Sequence, residues 1–447
     1  MHLRTSLCLV VTLLSPAFLR ANTPVVDLLA SQGRLGIPLE RAQTLESELG
    51  QLFIVNVDGF GFPSAELALE PDFAPMIDLL QVGGVIPHYG TTDYQRIRRT
   101  NRALSALTQL PLLICCDIVR LTAQTAQGTT SAAFGDGYVG GFIRKYKKLP
   151  EPSFQTLAGL NAFIFTALGM NVALGPTVDD STLSPEVEIR ARVVMEELRT
   201  YGIQPVIKHF PFLPTGANLH YSSPDTRVPL KVAEERFSVF RSLANTSPIL
   251  MTTHLNDSLV DGRIVTFSPA WLGILRRETG YSGLLMSDGL LMLRNYKDRS
   301  VLGGVPAKSV EAVELAVLDP TAKWAVRAIL AGHDFVIVEG SAAQTRRAFD
   351  GVLREACRGT IIGDDLAGRI EESFERIRRF KKENQALLSR QVEVSEFTID
   401  QVITMMPHDD ADFGSFRFAR GSLEALATQL AQAAEEPGAD GPGVHTQ

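Results

Sequence analysis

Short apolar runs without polar alternation recur along the chain at residues 52–57, 84–87, 111–115, 170–175, 205–207, 248–252, 283–286 and 334–338. They are rich in Val, Ile and Leu, and a run that never alternates predicts a strand buried on both faces. Between them lie segments of helical periodicity, among them 94–107, 184–200, 232–244 and 321–331. Strand then helix, eight times over, is the pattern of a closed parallel barrel, so the predicted fold class is α/β, a single (β/α)8 TIM barrel. An amphipathic helix over 364–382 closes it. This bounds the barrel domain at 25–385 and leaves 386–447 as a C-terminal extension, whose polar, Gly- and Pro-containing end at 435–447 reads as disordered.

The residues at the ends of these runs are Asp58, His88, Asp117, Asp179 with Asp180, Lys208 with His209, His254, Asp288 and Glu339. In such a barrel they share one rim, the face where active sites of this fold are built. One polar strand end means only that a strand must stop, whereas eight in register surround an opening with ionisable groups. Residues 121–152 form a long insertion after the third strand, with Gly-, Ser- and Thr-rich stretches and a basic run at 144–148. It reads either as a lid over the opening or as a disordered loop.

Composition narrows the setting. Residues 1–21 have a positive start, an apolar stretch broken by Pro16, and the small residue Ala21 at a plausible cleavage point. That is the form of a signal peptide, and the stretch is short for a membrane span. The expectation is an exported protein, periplasmic or secreted, with no stable span after cleavage; an uncleaved anchor is the alternative. Removal of the leader would take Cys8 and leave Cys115, Cys116 and Cys357. Adjacent cysteines rarely bridge, so these read as buried thiols, and the lack of a Cys-x-x-Cys argues against structural zinc. No metal and no cofactor is expected. A net charge of −7 with no basic stripe argues against nucleic acid as a partner. Nothing in the composition sets an oligomeric state.

Several motifs stand in a fixed order: Leu49-Gly50-Gln51-Leu52-Phe53, Val82-Gly83-Gly84-Val85-Ile86, Gly169-Met170-Asn171-Val172, Lys208-His209-Phe210-Pro211 and Ser287-Asp288-Gly289-Leu290-Leu291-Met292. Thr253-His254, Phe267-Ser268-Pro269 and Ala325-Val326-Arg327-Ala328 extend the series over roughly residues 45–382. The set resembles the family 3 glycoside hydrolases, and within them the bacterial β-N-acetylglucosaminidases. The resemblance implies a glycosidase whose partner is a carbohydrate, an N-acetylglucosamine-containing glycan.

Retaining glycosidases attack the anomeric carbon with a carboxylate and protonate the leaving oxygen with a second group. By resemblance the nucleophile is Asp288, whose strand fixes its direction; a carboxylate capping the next helix is the alternative. The family's acid/base is a loop histidine backed by an aspartate, in the motif Lys-His-Phe-Pro-Gly-His-Gly-Asp-Thr-x-x-Asp-Ser-His. Here the segment 208–220 is one residue shorter; His220 matches the histidine and Asn218 replaces the aspartate. Imidazole suits the role because it titrates near neutrality. An amide can orient the ring but supplies no charge, which predicts a weaker proton donor.

Lys208 and His209 match the pair that binds sugar hydroxyls and the acyl group, and a lysine in an apolar strand needs a partner in any case. Asp117 matches a substrate-binding aspartate. The family continues with Gln-Glu-Gly-Gly-Arg-Val-x-Arg, whereas this chain has Asp117-Ile118-Val119-Arg120-Leu121, with Arg120 as the candidate replacement for the arginine. The family's Arg-Ser-Phe-Gly segment is absent after Asp179. His254 matches a Thr/Ala-His pair and reads as shaping the site rather than reacting.

Three functions remain open. The first is a retaining β-N-acetylhexosaminidase-like hydrolase of amino-sugar glycans such as those of a cell wall, with phosphorolysis as a variant. The second is a barrel that binds glycans or a partner protein and no longer catalyses, in keeping with the missing motif residues. The third is a metal-dependent barrel hydrolase using Lys208, His209, His254 and Asp288; such enzymes need His-x-His at the first strand, where this chain has Asn56-Val57-Asp58.

Overall fold

The computed structural model describes residues 24–56, 73–87, 94–116, 143, 150–179, 186–213, 230–256, 259–295 and 318–390, and 120–125 and 128–133 by their backbone; the side chains of 230–233, 235–236 and 295 are also undescribed. Its strands are β1 (Phe53–Asn56), β2 (Gly84–Ile86), β3 (Leu113–Cys116), β4 (Arg120–Thr125), β5 (Gly128–Ala133), β6 (Val172–Ala173), β7 (Gln204–Phe210), β8 (Ile249–Thr252), β9 (Leu284–Gly289) and β10 (Phe335–Glu339). All but β4 and β5 form one closed parallel barrel in chain order, sealed by β1 against β10. The eight-stranded barrel expected from the apolar runs is therefore present. Every residue of β3 and β10 is buried, as strands covered on both faces require.

Part of the insertion after the third strand is regular structure: β4 and β5 pair antiparallel, from Arg120↔Ala133 to Thr125↔Gly128. This described part is a hairpin rather than a disordered loop. Strand ends also differ from expectation. Leu52 ends the helix Leu39–Leu52 instead of starting β1, and β7 continues through Lys208 and His209 to Phe210.

The motifs that carried the resemblance are largely packing devices. A Cβ on Gly50 would strike the Leu80 carbonyl, and one on Gly83 the Gln51 carbonyl, so only glycine allows these backbones to meet. Asn171 accepts from Ile114 N (2.7 Å) and donates to the carbonyls of Leu112 and Leu388 (both 2.9 Å), tying β3 to the C-terminal helices. Ser268 caps the helix Pro269–Thr279 through Trp271 N (3.0 Å), and Arg327 stacks over the Phe267 ring.

The helix Ile361–Glu383 packs against Leu39–Leu52. At its end Lys381 is fully buried and donates to Gln51 Oε1 and Gly83 O, both at 2.8 Å. These acceptors precede β1 and β2, so Lys381 closes the floor of the barrel, opposite the C-terminal rim. Cys115, Cys116 and Cys357 are buried free thiols. No helix among the described residues is long and apolar enough to cross a membrane.

Candidate active site

Two ladder irregularities shape the rim. Between Ile207↔Leu250 and Phe210↔Thr252, β7 advances three residues while β8 advances two. Between Phe335↔Met286 and Ile337↔Gly289, β9 advances three while β10 advances two. The surplus residue falls at Lys208–His209 in β7 and at Ser287–Asp288 in β9. Such bulges bend a strand and re-aim its side chains, and here they coincide with the chemistry-bearing positions. Ser287 fills its own bulge, its hydroxyl accepting from Ile337 N (3.1 Å) and donating to Asp288 O (2.8 Å).

Asp288 is mostly buried, with 17% of its side chain exposed. Its Oδ1 accepts from Gly289 N at 2.8 Å, and its Oδ2 stands 3.9 Å from His209 Nε2. Burial favours the neutral acid, but His209, His254, the Gly289 N–H and Lys208 together outweigh it and hold the carboxyl below its usual range. His209 is oriented from behind: Asp179 Oδ2 lies 3.1 Å from Nδ1, and a carboxylate oxygen there accepts a hydrogen bond from the Nδ1–H tautomer. The other oxygen of Asp179 is buried without a hydrogen-bond partner among the described residues. Lys208 is buried, and its backbone is fixed by Val178 N to its carbonyl (2.8 Å) and by its own N–H to Pro176 O (3.2 Å).

His254 is fully buried. Its Nε2 donates to the Gly289 carbonyl (2.8 Å), and its Nδ1 meets Thr266 Oγ1 (2.7 Å). This placement fits a residue that shapes the site. Glu339, at the end of β10, accepts from Leu291 N at 2.7 Å through Oε2. Burial raises its pKa to about 7, helped by the charge of Asp288 and opposed by the Leu291 N–H and Arg294.

The structure thus brings together Asp288, Lys208, His209 and His254. Asp117, Asn218 and His220 lie outside the described residues, as does the side chain of Arg120, whose backbone opens β4. Asp179 and Glu339 were visible in the sequence as rim residues but carried no role there. Their strand-end positions were the only signal. Among the described residues, no three His, Cys, Asp or Glu side chains gather as a metal site.

This arrangement, an ionised carboxylate at a barrel mouth with a lysine and two imidazoles around it, can be set beside known proteins. A β-hexosaminidase of Alkalilimnicola ehrlichii is 28% identical over 240 residues, covering 47% of this chain and 66% of that protein. One of Bordetella pertussis is 27% identical over 253 residues, covering 52% and 70%. The aligned stretch therefore spans about two thirds of these relatives' own length. Among solved structures, a glycoside hydrolase family 3 β-N-acetylglucosaminidase from Paenibacillus sp. superposes with a TM-score of 0.57 at 18% identity, covering 87% of this chain and 68% of that one. A β-N-acetylhexosaminidase from Beutenbergia cavernae gives a TM-score of 0.56 at 20% identity, covering 76% and 98%. At such identities the structural likeness is one of fold. The description "Glycosyl hydrolase family 3 N terminal domain" matches residues 44–377, nearly the whole barrel, and the chain belongs to that family.

Proposed function

We propose that this protein is a retaining β-N-acetylhexosaminidase-like glycoside hydrolase of amino-sugar glycans, with Asp288 as nucleophile and His220 as acid/base. The observation that supports it most is the environment of Asp288: the carboxyl is kept ionised in a largely buried place, which a nucleophile needs and a structural cap does not. In the first step an Asp288 oxygen bonds to the anomeric carbon while the glycosidic C–O bond breaks, and the His220 proton passes to the leaving oxygen. In the second, water adds to that carbon, returns its proton to His220 and frees Asp288. Lys208 and His209 hold sugar hydroxyls and the acyl group. The names of the relatives favour an amino sugar.

Hydrolysis of 4-nitrophenyl N-acetyl-β-D-glucosaminide tests the reading. Turnover should be present in the wild type, fall by about a thousandfold or more in Asp288→Asn, and yield the β-anomer first by proton NMR. Asn218 favours a second reading, a barrel that binds glycans without cleaving them, since it removes the charge behind His220. Measurable N-acetylglucosamine binding with no turnover would decide for the binder. The leader reading of residues 1–21 places the action outside the cytoplasm, and the N-terminal sequence of the mature protein checks it.

A further inference from the structure

The peptide units that follow Asp288 are held from both sides. From beyond β8, His254 Nε2 donates to the Gly289 carbonyl (2.8 Å). From the end of β10, Glu339 Oε2 accepts the Leu291 N–H (2.7 Å). The second Glu339 oxygen lies against Gly289 itself: a Cβ there would stand 2.5 Å from Oε1 and 2.6 Å from Cδ. Glu339 is only 4% exposed, so its carboxylate is wedged against the backbone instead of being presented to a ligand.

We propose that Glu339 is a positioning residue for Asp288, bracing the Gly289–Leu291 turn so that the nucleophile stays aimed into the barrel mouth. The inference rests on the reading of Asp288 as nucleophile. Two features separate a brace from ordinary packing. Glu339 bonds the chain two residues beyond the first peptide after Asp288, where a small tilt is passed back to its Cβ. Glu339 also shares an electrostatic environment with the carboxylate it positions. The charged groups around it are Asp288 on β9 and Arg294 on the turn after it. Its register partner on β1 is the neutral Asn56. On the packed helices, Arg327 lies over Phe267, Arg346 is paired with Asp350, and Glu46 accepts from Val25 N. Attack by Asp288 removes its negative charge, and with it the repulsion between the two carboxylates. An ionised Glu339 therefore favours ester formation, and its ionisation near pH 7 should appear in the rate.

The test uses the full chain as Glu339→Gln, Glu339→Ala and Gly289→Ala, with 4-nitrophenyl N-acetyl-β-D-glucosaminide and crystal structures of each. The glutamine keeps an acceptor for Leu291 N–H, so kcat should stay within a few fold, while the Glu339 contribution near pH 7 drops out of the kcat/KM profile and the limb set by the acid/base His220 remains. The two alanine variants should lose on the order of tenfold to a hundredfold in kcat with little change in KM, as expected for a misaimed reacting group. Gly289→Ala displaces the same carboxylate from the other side and serves if Glu339→Ala does not fold. Folded alanine variants with wild-type kcat would overturn the proposal. Absence of turnover in the wild type would sink the hydrolase reading instead, and the crystal structures then decide. Departure of the Asp288 carboxyl from its place beside His209 in the alanine variants supports the brace, and an unmoved carboxyl refutes it.

Discussion

Asp288 and Glu339 sit on adjacent strands and are shifted in opposite directions, so they leave opposite marks on stability. For Asp288 the folded pKa is lowered. On acidification the unfolded chain takes its proton first, and the stability Asp288 contributes is present above its unfolded pKa and lost as pH falls through the folded one. For Glu339 the pKa is raised from 4.5 to about 7, so its contribution is complete below 4.5 and lost as pH rises through about 7. The difference amounts to roughly 3 kcal/mol at most. In urea titrations Glu339→Gln should be more stable than wild type at pH 8 by up to that amount, and equal to it at pH 4.5. The same midpoint difference at both values would contradict the assignment. At this scale the sequence exposed Asp288, Lys208, His209 and His254, since each follows an apolar run. The partnership of Asp179 with His209 and the wedge of Glu339 on Gly289 depend on which neighbours the barrel supplies, and no residue spacing encodes that.

Among the elements, the helix Ile361–Glu383 anchors the floor through Lys381. Burial pushes this ammonium down to about 7, with the Cys115 thiolate form acting against the shift. Between that value and 10.5 the unfolded chain binds the proton that the folded chain has released, so this lysine makes stability climb with pH. The buried Cys115 thiol, raised to about 12 from 9, opposes the trend only above pH 9. Wild-type stability should therefore gain a component from pH 7 to 9 that Lys381→Ala lacks. That variant strands two buried acceptors and leaves a cavity, at a cost of about 2–4 kcal/mol, and should leave kcat/KM unchanged because it sits at the opposite end of the strands. The lengths of β7 and β9 were the elements least legible in the sequence. Lys208, His209 and Asp288 read as the polar stops of apolar runs, whereas the bulges let each strand carry them within the ladder. The hairpin β4–β5 was hidden for another reason: across Arg120–Thr125 and Gly128–Ala133 the one large apolar side chain is Leu121, too little to mark a strand.

Across the whole molecule the two ends of the described chain complete one another. The strand β1 needs β10 as a neighbour, and the helix Leu39–Leu52 that feeds it packs under Ile361–Glu383, with Arg41 bonded to Glu371 (3.1 Å). A chain stopped at residue 360 should therefore show no cooperative unfolding transition by far-UV circular dichroism; a sigmoidal melt would mean that the barrel closes without its last helix. Eight strands could be counted from the sequence because burial on both faces gives each the same unalternating composition. Their closure rests on contacts between residues some 280 positions apart, such as Phe53↔Val336, which no local pattern displays.

The two ladder surpluses flank β8, one on each side, and a surplus of one residue has no intermediate values. Losing a residue at 208–209 or 287–288 would restore an unbroken ladder and turn the following side chain to the opposite face of the sheet. Insertions and deletions at these two places should re-aim every residue of the site on that strand, whereas a point substitution removes one side chain and leaves the ladder as it was. Length changes engineered into this chain should therefore be tolerated in the connecting loops and not at these strand ends, and recombination breakpoints belong outside both windows.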